Sequence, residues 1–297
     1  FHMRKTQIRQ IKGDKQNVQG TILLGIFATG LFSLSYIGIP DVFPITYKSA
    51  TVVALVPEEV VREVAEEEED TFTPLRLKTP DAVRAIYMTQ CVAGTPSFRE
   101  NLVRLAEETE INSIVIDIKD YTGGLGFIPR DPNLKNSLST NCYAPDMRDF
   151  VKSINERGIY AIARLTVFQD PLYANMHPEL GIKKASATTT LWTDYKGLNF
   201  IDAGAREYWD YIVELSKESY ALGFDELNFD YIRFPSDGNL QEMKFFSWDE
   251  TTPRHEIIRS FFAYLRAQLP EAVISADLFG LVTINRDDLG IGQVIED

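Results

Sequence analysis

The sequence predicts an α/β fold of the (β/α)8 (TIM) barrel class, preceded by an N-terminal transmembrane helix. Segments typical of strands and helices alternate from Arg84 onward, the strands end in polar residues, and residues 18–39 carry no charge. Repeated strand–helix alternation is typical of a parallel sheet. A doubly wound sheet also fits this alternation, but polar residues at several strand ends favour a barrel, which builds its site there.

The first 81 residues are predicted to anchor the chain. Residues 1–17 form a basic cytoplasmic tail, and residues 18–39 are long enough to span a bilayer, which takes roughly 20 apolar residues. Everything after about residue 40 would then lie outside the cytoplasm. A cleaved signal peptide is the main alternative, and a buried core helix is a weaker one. Residues 40–81, which include an acidic run at 66–70, are interpreted as a flexible tether.

Residues 82–297 contain the predicted barrel. The strand-like segments are 85–89, 113–120, 159–168, a segment beginning at Glu226, and 272–280, with 198–201 as a candidate sixth strand. The helix-like segments are 97–108, 146–157, 205–221 and 253–269. A complete barrel needs eight strands, so the barrel is expected to be truncated at its C-terminal end.

The segment 223–235 is the most informative part of the chain. Strand alternation places Glu226, Asn228 and Asp230 on one face, with Leu227 and Phe229 among the residues on the other. One apolar face and one acidic face are expected of a strand that lines a polar barrel interior. Asp230 would then lie at the carboxyl-terminal mouth of the barrel.

Asp277 occupies the corresponding position on the next strand. Paired carboxylates across a cleft suit glycoside hydrolysis, in which one acid protonates the leaving oxygen and the other attacks the sugar or activates water. Asp230 is the predicted nucleophile or base and Asp277 the general acid, while Glu226, which lies deeper, is the alternate. A retaining enzyme needs carboxyl groups about 5 Å apart, an inverting one about 6.5–9.5 Å. The residues predicted to bind substrate or tune the acids are Asp117, Lys119, Asp120, Arg164, Tyr231, Arg233 and Phe279.

The composition argues against several other classes of function. The formal net charge of −13 is unsuited to nucleic acid as the main partner, because phosphate binding needs clustered Lys and Arg. No G-x-S-x-G motif, strand-end histidine or Gly-rich phosphate loop is present. We expect neither a metal nor a cofactor, although Asp117 and Asp120 leave a calcium site as a minor alternative.

The two cysteines, Cys91 and Cys142, are too few for a disulfide framework or a zinc cluster. Two unpaired cysteines are the favoured interpretation. A domain outside the cytoplasm could instead pair them.

Five segments together resemble the bacterial domain family described as "putative glycoside hydrolase", once a domain of unknown function. They are VIDIKDYTGGLGF (115–127), IYAIARLTVFQDP (159–171), GFDELNFDYIRFPSDG (223–238), ISADLFG (274–280) and IGQVIED (291–297). The resemblance covers about residues 82–297, and FDYIRFP is its most specific part. It implies a barrel, a carbohydrate substrate and an envelope location behind a membrane segment.

The sequence thus predicts a single-pass membrane-anchored glycoside hydrolase that acts outside the cytoplasm on a polysaccharide or oligosaccharide. A non-catalytic glycan-binding scaffold of the cell envelope is the main alternative. It is favoured if Asp230 and the other inward acids are locked in buried salt bridges with Arg164 or Arg233. A deacetylase or lyase on the same barrel would require a metal site or a strand-end histidine, which the sequence lacks.

Overall fold

A parallel sheet forms the centre of the computed structural model, which describes residues 72–284 and 290–294. The strands are β1 (Ala85–Met88), β2 (Ser113–Lys119), β3 (Tyr160–Thr166), β4 (Lys183–Lys184), β5 (Ala187–Leu191), β6 (Glu226–Asp230), β7 (Met243–Lys244) and β8 (Val273–Ala276). The α-helices are α1 (Gln90–Ala93), α2 (Pro96–Glu108), α3 (Met147–Glu156), α4 (Pro171–Met176), α5 (Arg206–Ala221) and α6 (Arg254–Gln268).

The predicted tail at 1–17 and anchor at 18–39 lie outside the described residues, as does most of the tether. Within 72–284 and 290–294, no helix combines the length and the apolar character needed to cross a bilayer.

The order of the strands distinguishes the two folds that the sequence left open. The main sheet has the order β1-β2-β3-β6-β8, and every pair in it is parallel. Each strand therefore lies beside the next main-sheet strand along the chain. A doubly wound sheet reverses its strand order at a switch point, whereas an unreversed order is that of a barrel wall. The described strands form a five-stranded sector of such a wall.

The remaining three strands form a small antiparallel sheet of order β5-β4-β7. In the sequence, β4 and β5 lie between β3 and α5, and β7 lies between β6 and α6. The candidate strand at 198–201 does not join the main sheet. Its residues Phe200 and Ile201 make isolated bridges to Gln169 and Gly181. The prediction at 198–201 was wrong because a short apolar run can be buried without belonging to a sheet.

The three central strands of the main sheet, β2, β3 and β6, are buried on both faces, as the strands of parallel sheets usually are, whereas the edge strands β1 and β8 are partly exposed. β2 and β3 consist almost entirely of buried residues. Their apolar side chains pack under helices such as α5, which buries Tyr208, Ile212 and Leu215. The polar side chains of the same strands face the interior of the curved sheet, where the candidate site lies.

A short extended segment docks against the amino-terminal end of β6. Arg76 donates to the carbonyl oxygens of Phe224 at 2.5 Å and Tyr220 at 2.8 Å, and its guanidinium lies 3.3 Å from the centroid of the Tyr220 ring. The amide of Leu77 donates to Asp225 Oδ1 at 2.6 Å. The sequence had assigned Arg76 and Leu77 to the flexible tether. Their bonds instead attach them to the end of the barrel wall opposite the strand mouths.

Cys91 in α1 forms a disulfide with Cys142, which precedes α3. The favoured interpretation of two unpaired cysteines was therefore wrong. The partners are 51 residues apart in the sequence, so nothing local indicates their proximity. The fold brings them together because Gly94, at the end of α1, packs directly against the backbone of Tyr143.

We expect the double variant Cys91→Ser, Cys142→Ser to be less stable than the natural chain by about 4 kcal/mol, because the unfolded chain gains entropy when a loop of this length is no longer cross-linked. Denaturant unfolding measures this difference. Unfolding free energies that agree within about 1 kcal/mol, well below the typical contribution of a disulfide, would contradict the expectation.

Candidate active site

Arg164 on β3 lies among carboxylates from three other strands. Its Nη1 donates to Asp117 Oδ1 on β2 at 2.6 Å, and its Nη2 donates to Asp230 Oδ2 on β6. Its Nε lies 3.9 Å from Oδ2 of Asp277, which directly follows β8. The register explains the convergence, because Arg164 pairs with Asp117 across one edge of β3 and with Asn228 across the other.

The charge of Arg164 is stabilised by its partners. Burial alone would lower the pKa of Arg164, but Asp117 and Asp230 outweigh it and raise this pKa above its usual value. Both oxygens of Asp230 are hydrogen-bonded, Oδ2 to Arg164 and Oδ1 to the amide of Tyr231 at 2.6 Å. Both oxygens of Asp230 therefore act as hydrogen-bond acceptors.

Asp277 experiences a different environment from Asp230. Burial raises the pKa of Asp277, and the negative charge of Asp230 raises it further. A 3.3 Å hydrogen bond from Asn228 Nδ2 and the charge of Arg164 oppose the increase without cancelling it. The side chain is 53% exposed, so a ligand can reach it. Two nearby carboxyl groups with divergent environments are the pattern of an acid and a base.

Asp117 supports Arg164 from the neighbouring strand β2. It is 4% exposed, and its second oxygen accepts a hydrogen bond from the Tyr87 hydroxyl on β1. Burial raises the pKa of Asp117, while Tyr87 and Arg164 oppose that increase. Because both oxygens are engaged and buried, Asp117 positions Arg164 and is not open to substrate.

Glu226, the alternate acid, does not belong to this cluster. It lies at the amino-terminal end of β6, four residues before Asp230 and thus roughly 13 Å away along the strand. Its oxygens accept hydrogen bonds from Ser275 Oγ at 2.5 Å and Tyr160 Oη at 3.0 Å. The structure therefore separates Glu226 from the mouth by a full layer of side chains.

Lys119 is fully buried, contrary to its predicted contact with substrate. Its Nζ lies 2.8 Å from Asp170 Oδ2 and donates to the Thr166 carbonyl at 2.6 Å. Burial lowers the pKa of Lys119, and Asp170 opposes the decrease. Asp170 also caps α4 by accepting from the Tyr173 amide. Lys119 thus ties β2 to the loop after β3.

Asp120 stabilises a turn after β2. Its Oδ1 accepts from the amide of Thr122 at 2.9 Å, and its Oδ2 accepts from Gln90 Nε2 at 2.7 Å. Gly123, in the same turn, has a φ of +90°, and a side chain there would collide with the Asp170 carboxylate. These bonds engage Asp120 with its own loop and with α1 rather than with Arg164.

Tyr231, Arg233 and Phe279 form a second group beside the acids. Tyr231 directly follows Asp230 and has a φ of 53°, which is rare for an aromatic residue and is found at functional sites. The Arg233 guanidinium lies 5.0 Å from the Tyr231 ring centroid and 4.8 Å from that of Phe279. Phe279 is 40% exposed and presents an aromatic surface at the mouth.

Sequence reasoning missed four residues that hold this arrangement, namely Tyr87, Gln90, Asp170 and Asn228. Tyr87 was overlooked because it lies inside the predicted strand 85–89, whereas the strand ends at Met88 and Thr89 is the N-cap of α1. Asp170 could have been found, since a charged residue directly before Pro171 suggests a helix cap.

A cavity of about 360 Å³ lies on the other face of β8, lined by Ile274, Ala276, Phe262 and Val294 among others. Strand alternation explains why it is separate from the acids, because Ser275 and Asp277 point the opposite way. Among the described residues, no cluster of His, Cys, Asp or Glu could hold a metal ion.

We expect Lys119→Met to destabilise the chain by roughly 3–5 kcal/mol, because it leaves the buried Asp170 carboxylate uncompensated. Combining it with Asp170→Asn, which retains an oxygen to cap α4, should recover most of the loss. Denaturant unfolding of both variants measures the coupling. A Lys119→Met chain as stable as the natural one would contradict the buried pair.

Several proteins of known structure are similar to this chain. A hypothetical protein of known structure from Ruminiclostridium thermocellum ATCC 27405 is 36% identical, with a TM-score of 0.59, over 66% of this chain and 98% of that one. An α-galactosidase from Thermus thermophilus is 16% identical over 68% of this chain and 39% of that one, with a TM-score of 0.46. A chitobiase from Flavobacterium johnsoniae is 14% identical over 70% of this chain and 32% of that one, with a TM-score of 0.49.

The chain spans less than half the length of these two enzymes, and the similarity to them is too weak to assign their activities to it. No curated protein is significantly similar in sequence. A family model described as "Putative glycosyl hydrolase domain" matches residues 85–297, which include the whole main sheet and every side chain that contacts Arg164. The chain therefore belongs to this glycosyl hydrolase domain family.

Proposed function

We propose that this chain hydrolyses glycosidic bonds of a polysaccharide or oligosaccharide by a two-carboxylate mechanism. Asp230 is the nucleophile or general base, and Asp277 is the general acid. One observation carries the proposal: Arg164 binds Asp230 directly, whereas Asp277 lies 3.9 Å from the same guanidinium with a raised pKa.

The two environments suit the two steps of the reaction. A protonated Asp277 donates its proton to the glycosidic oxygen as the bond to the leaving sugar breaks. Asp230, ionised beside Arg164, either attacks the anomeric carbon or removes a proton from the attacking water. Asp117 keeps Arg164 in place throughout, because it binds the opposite end of the guanidinium.

We further propose that the domain acts outside the cytoplasm, tethered by a single span at residues 18–39. The Cys91–Cys142 disulfide supports this location, since disulfides persist in oxidising compartments. The uncharged stretch at 18–39 and the basic residues before it support an anchor whose N-terminus is cytoplasmic.

A non-catalytic glycan-binding scaffold is the second candidate. The ion pairs of Arg164 with Asp117 and Asp230 favour it, because a carboxylate locked by arginine is a poorer nucleophile. Asp277 weighs against it, since its side chain is half exposed and its ion pair with Arg164 is long, at 3.9 Å. A scaffold has no use for an accessible carboxyl group with a raised pKa.

We expect the full chain to release reducing sugar from envelope or storage polysaccharides, and Asp230→Asn and Asp277→Asn each to lower this rate about 10²- to 10⁴-fold. Glu108→Gln, on the exposed surface of α2, is the matched control and should retain the full rate. Binding of a polysaccharide without hydrolysis by the natural chain would favour the scaffold. An unchanged rate in Asp230→Asn would refute the assignment of the site.

We expect Asp277→Asn to raise the melting temperature at pH 7. The folded chain holds the Asp277 proton more tightly than the unfolded chain does, so ionisation of Asp277 opposes folding. The gain should vanish below about pH 3.9, the pKa of an unfolded Asp, where the group is protonated in both states.

Asp249→Asn is the matched control with the opposite sign. Backbone hydrogen bonds from Thr252 and Thr251 lower the pKa of Asp249 to about 2. Its charge therefore favours folding above the unfolded pKa, and that contribution is lost as the pH falls towards 2. Asp249→Asn should lower the melting temperature at pH 7. A lower melting temperature for Asp277→Asn at pH 7 would contradict the raised pKa of Asp277.

A further inference from the structure

We propose that Arg233 forms an anion-binding subsite beside the acid pair, and that the glycan bound here carries a carboxylate on its sugar rings. The inference deepens the proposed function and rests on it for taking Asp230 and Asp277 as the point of cleavage. The substrate class is then a glycan that contains uronic acid.

The position of Arg233 places its guanidinium next to both acid-bearing segments. Arg233 follows Asp230 by three residues, and its guanidinium lies close to the ring of Tyr231, the neighbour of Asp230. It lies equally close to the ring of Phe279, which follows Asp277 by two residues. A ligand group bound to Arg233 would therefore belong to a sugar at, or directly next to, the cleaved bond.

Arg233 differs from the other buried cations of the site in lacking a carboxylate partner. Lys119 binds Asp170, and Arg164 binds Asp117 and Asp230. Arg233 is only 9% exposed, yet within the described residues no carboxylate oxygen lies within ion-pairing distance of it. Burying an unpaired charge is costly, so an anion from outside the described residues would find a site already prepared.

The free edge of the guanidinium has the geometry of a carboxylate receptor. Nη1 donates to the Phe234 carbonyl at 3.2 Å and to Ser236 Oγ at 3.1 Å, and these two bonds orient the group. In the described part of the chain, Nε and Nη2 have no hydrogen-bond acceptor. Nε–H and Nη2–H form one edge of the planar group, and such a fork binds the two oxygens of a carboxylate together.

The aromatic neighbours make this contact stronger. The rings of Tyr231 and Phe279 exclude water from around the guanidinium and hold its plane. Burial lowers the pKa of Arg233, and the charges of Tyr231, Asp237, Asp230 and Asp194 oppose this without reversing it. None of the three aspartates forms an ion pair with Arg233. Repulsion by the chain's more distant charges is screened beyond about 8 Å at physiological salt.

The test compares uronic acid oligosaccharides with their carboxyl-reduced counterparts, which have the same linkages and no charge. Oligomers of galacturonate, glucuronate and mannuronate are titrated into the full chain by calorimetry. The natural chain should bind at least one acidic oligomer about 10- to 100-fold more tightly than its reduced form, as expected for hydrogen bonds between charged groups.

Variants of Arg233 assign the preference to this side chain. Arg233→Gln should lose that 10- to 100-fold preference and bind the reduced oligomer as the natural chain does. Arg233→Lys, which keeps the charge without the fork, should recover part of the preference. Arg104→Gln removes a charge from the exposed surface of α2 and should leave both affinities unchanged.

Several outcomes would overturn the subsite. They are equal affinity for acidic and reduced oligomers, no binding of any acidic oligomer, tighter binding of sulfated oligosaccharides than of uronates, and an equal loss of both affinities in Arg233→Gln. If the natural chain and Arg233→Gln hydrolyse neutral glycans at the same rate, that result would overturn the anion-binding subsite, while the proposed function would stand. Arg233-dependent binding of uronates without hydrolysis would support the subsite and contradict the proposed hydrolase.

Discussion

The partly buried guanidinium of Arg164 is the charge on which the arrangement of the site depends. Burying a cation is costly unless it is paired, and the neighbouring strands supply Asp117 from β2 and Asp230 from β6. The same pairing leaves Asp277 at a longer distance, so its charge is only partly compensated. One arginine thus gives two neighbouring carboxyl groups different environments, and that of Asp277 raises its pKa.

The interior of the sheet is organised in layers that protect this pairing. Below Arg164, Glu226 accepts hydrogen bonds from Ser275 and Tyr160, which satisfies a carboxylate that would otherwise compete for the arginine. To one side, Lys119 and Asp170 form a closed pair that fastens the loop after β3. The outermost layer holds Tyr231, Arg233 and Phe279, whose side chains can meet a ligand. Depth in the sheet thus separates groups that stabilise the fold from groups that can bind or react.

The sequence predicted the features that depend on alternation and missed those that depend on depth or distant contacts. Strand–helix alternation and polar strand ends indicated a barrel and the convergence of Asp230, Asp277 and Arg164. Alternation predicts which face of the sheet a side chain lies on, but not how deep it lies below the strand mouths. Lys119 and Glu226 were therefore predicted to act at the site, although both are buried. The Cys91–Cys142 bond had no local signal, because it depends on the packing of α1 against a loop 51 residues away.

A titration of the Asp277 carboxyl group tests the central claim most directly. Selective ¹³C labelling of aspartate carboxyl groups, with Asp277→Asn to assign the signal, reports the pKa of Asp277 in the folded chain. The account predicts a value above the usual 3.9 or so for aspartate, and a lower value when Asp230→Asn removes the neighbouring negative charge. An Asp277 pKa at or below the usual value would contradict the division of the two carboxyl groups into acid and base.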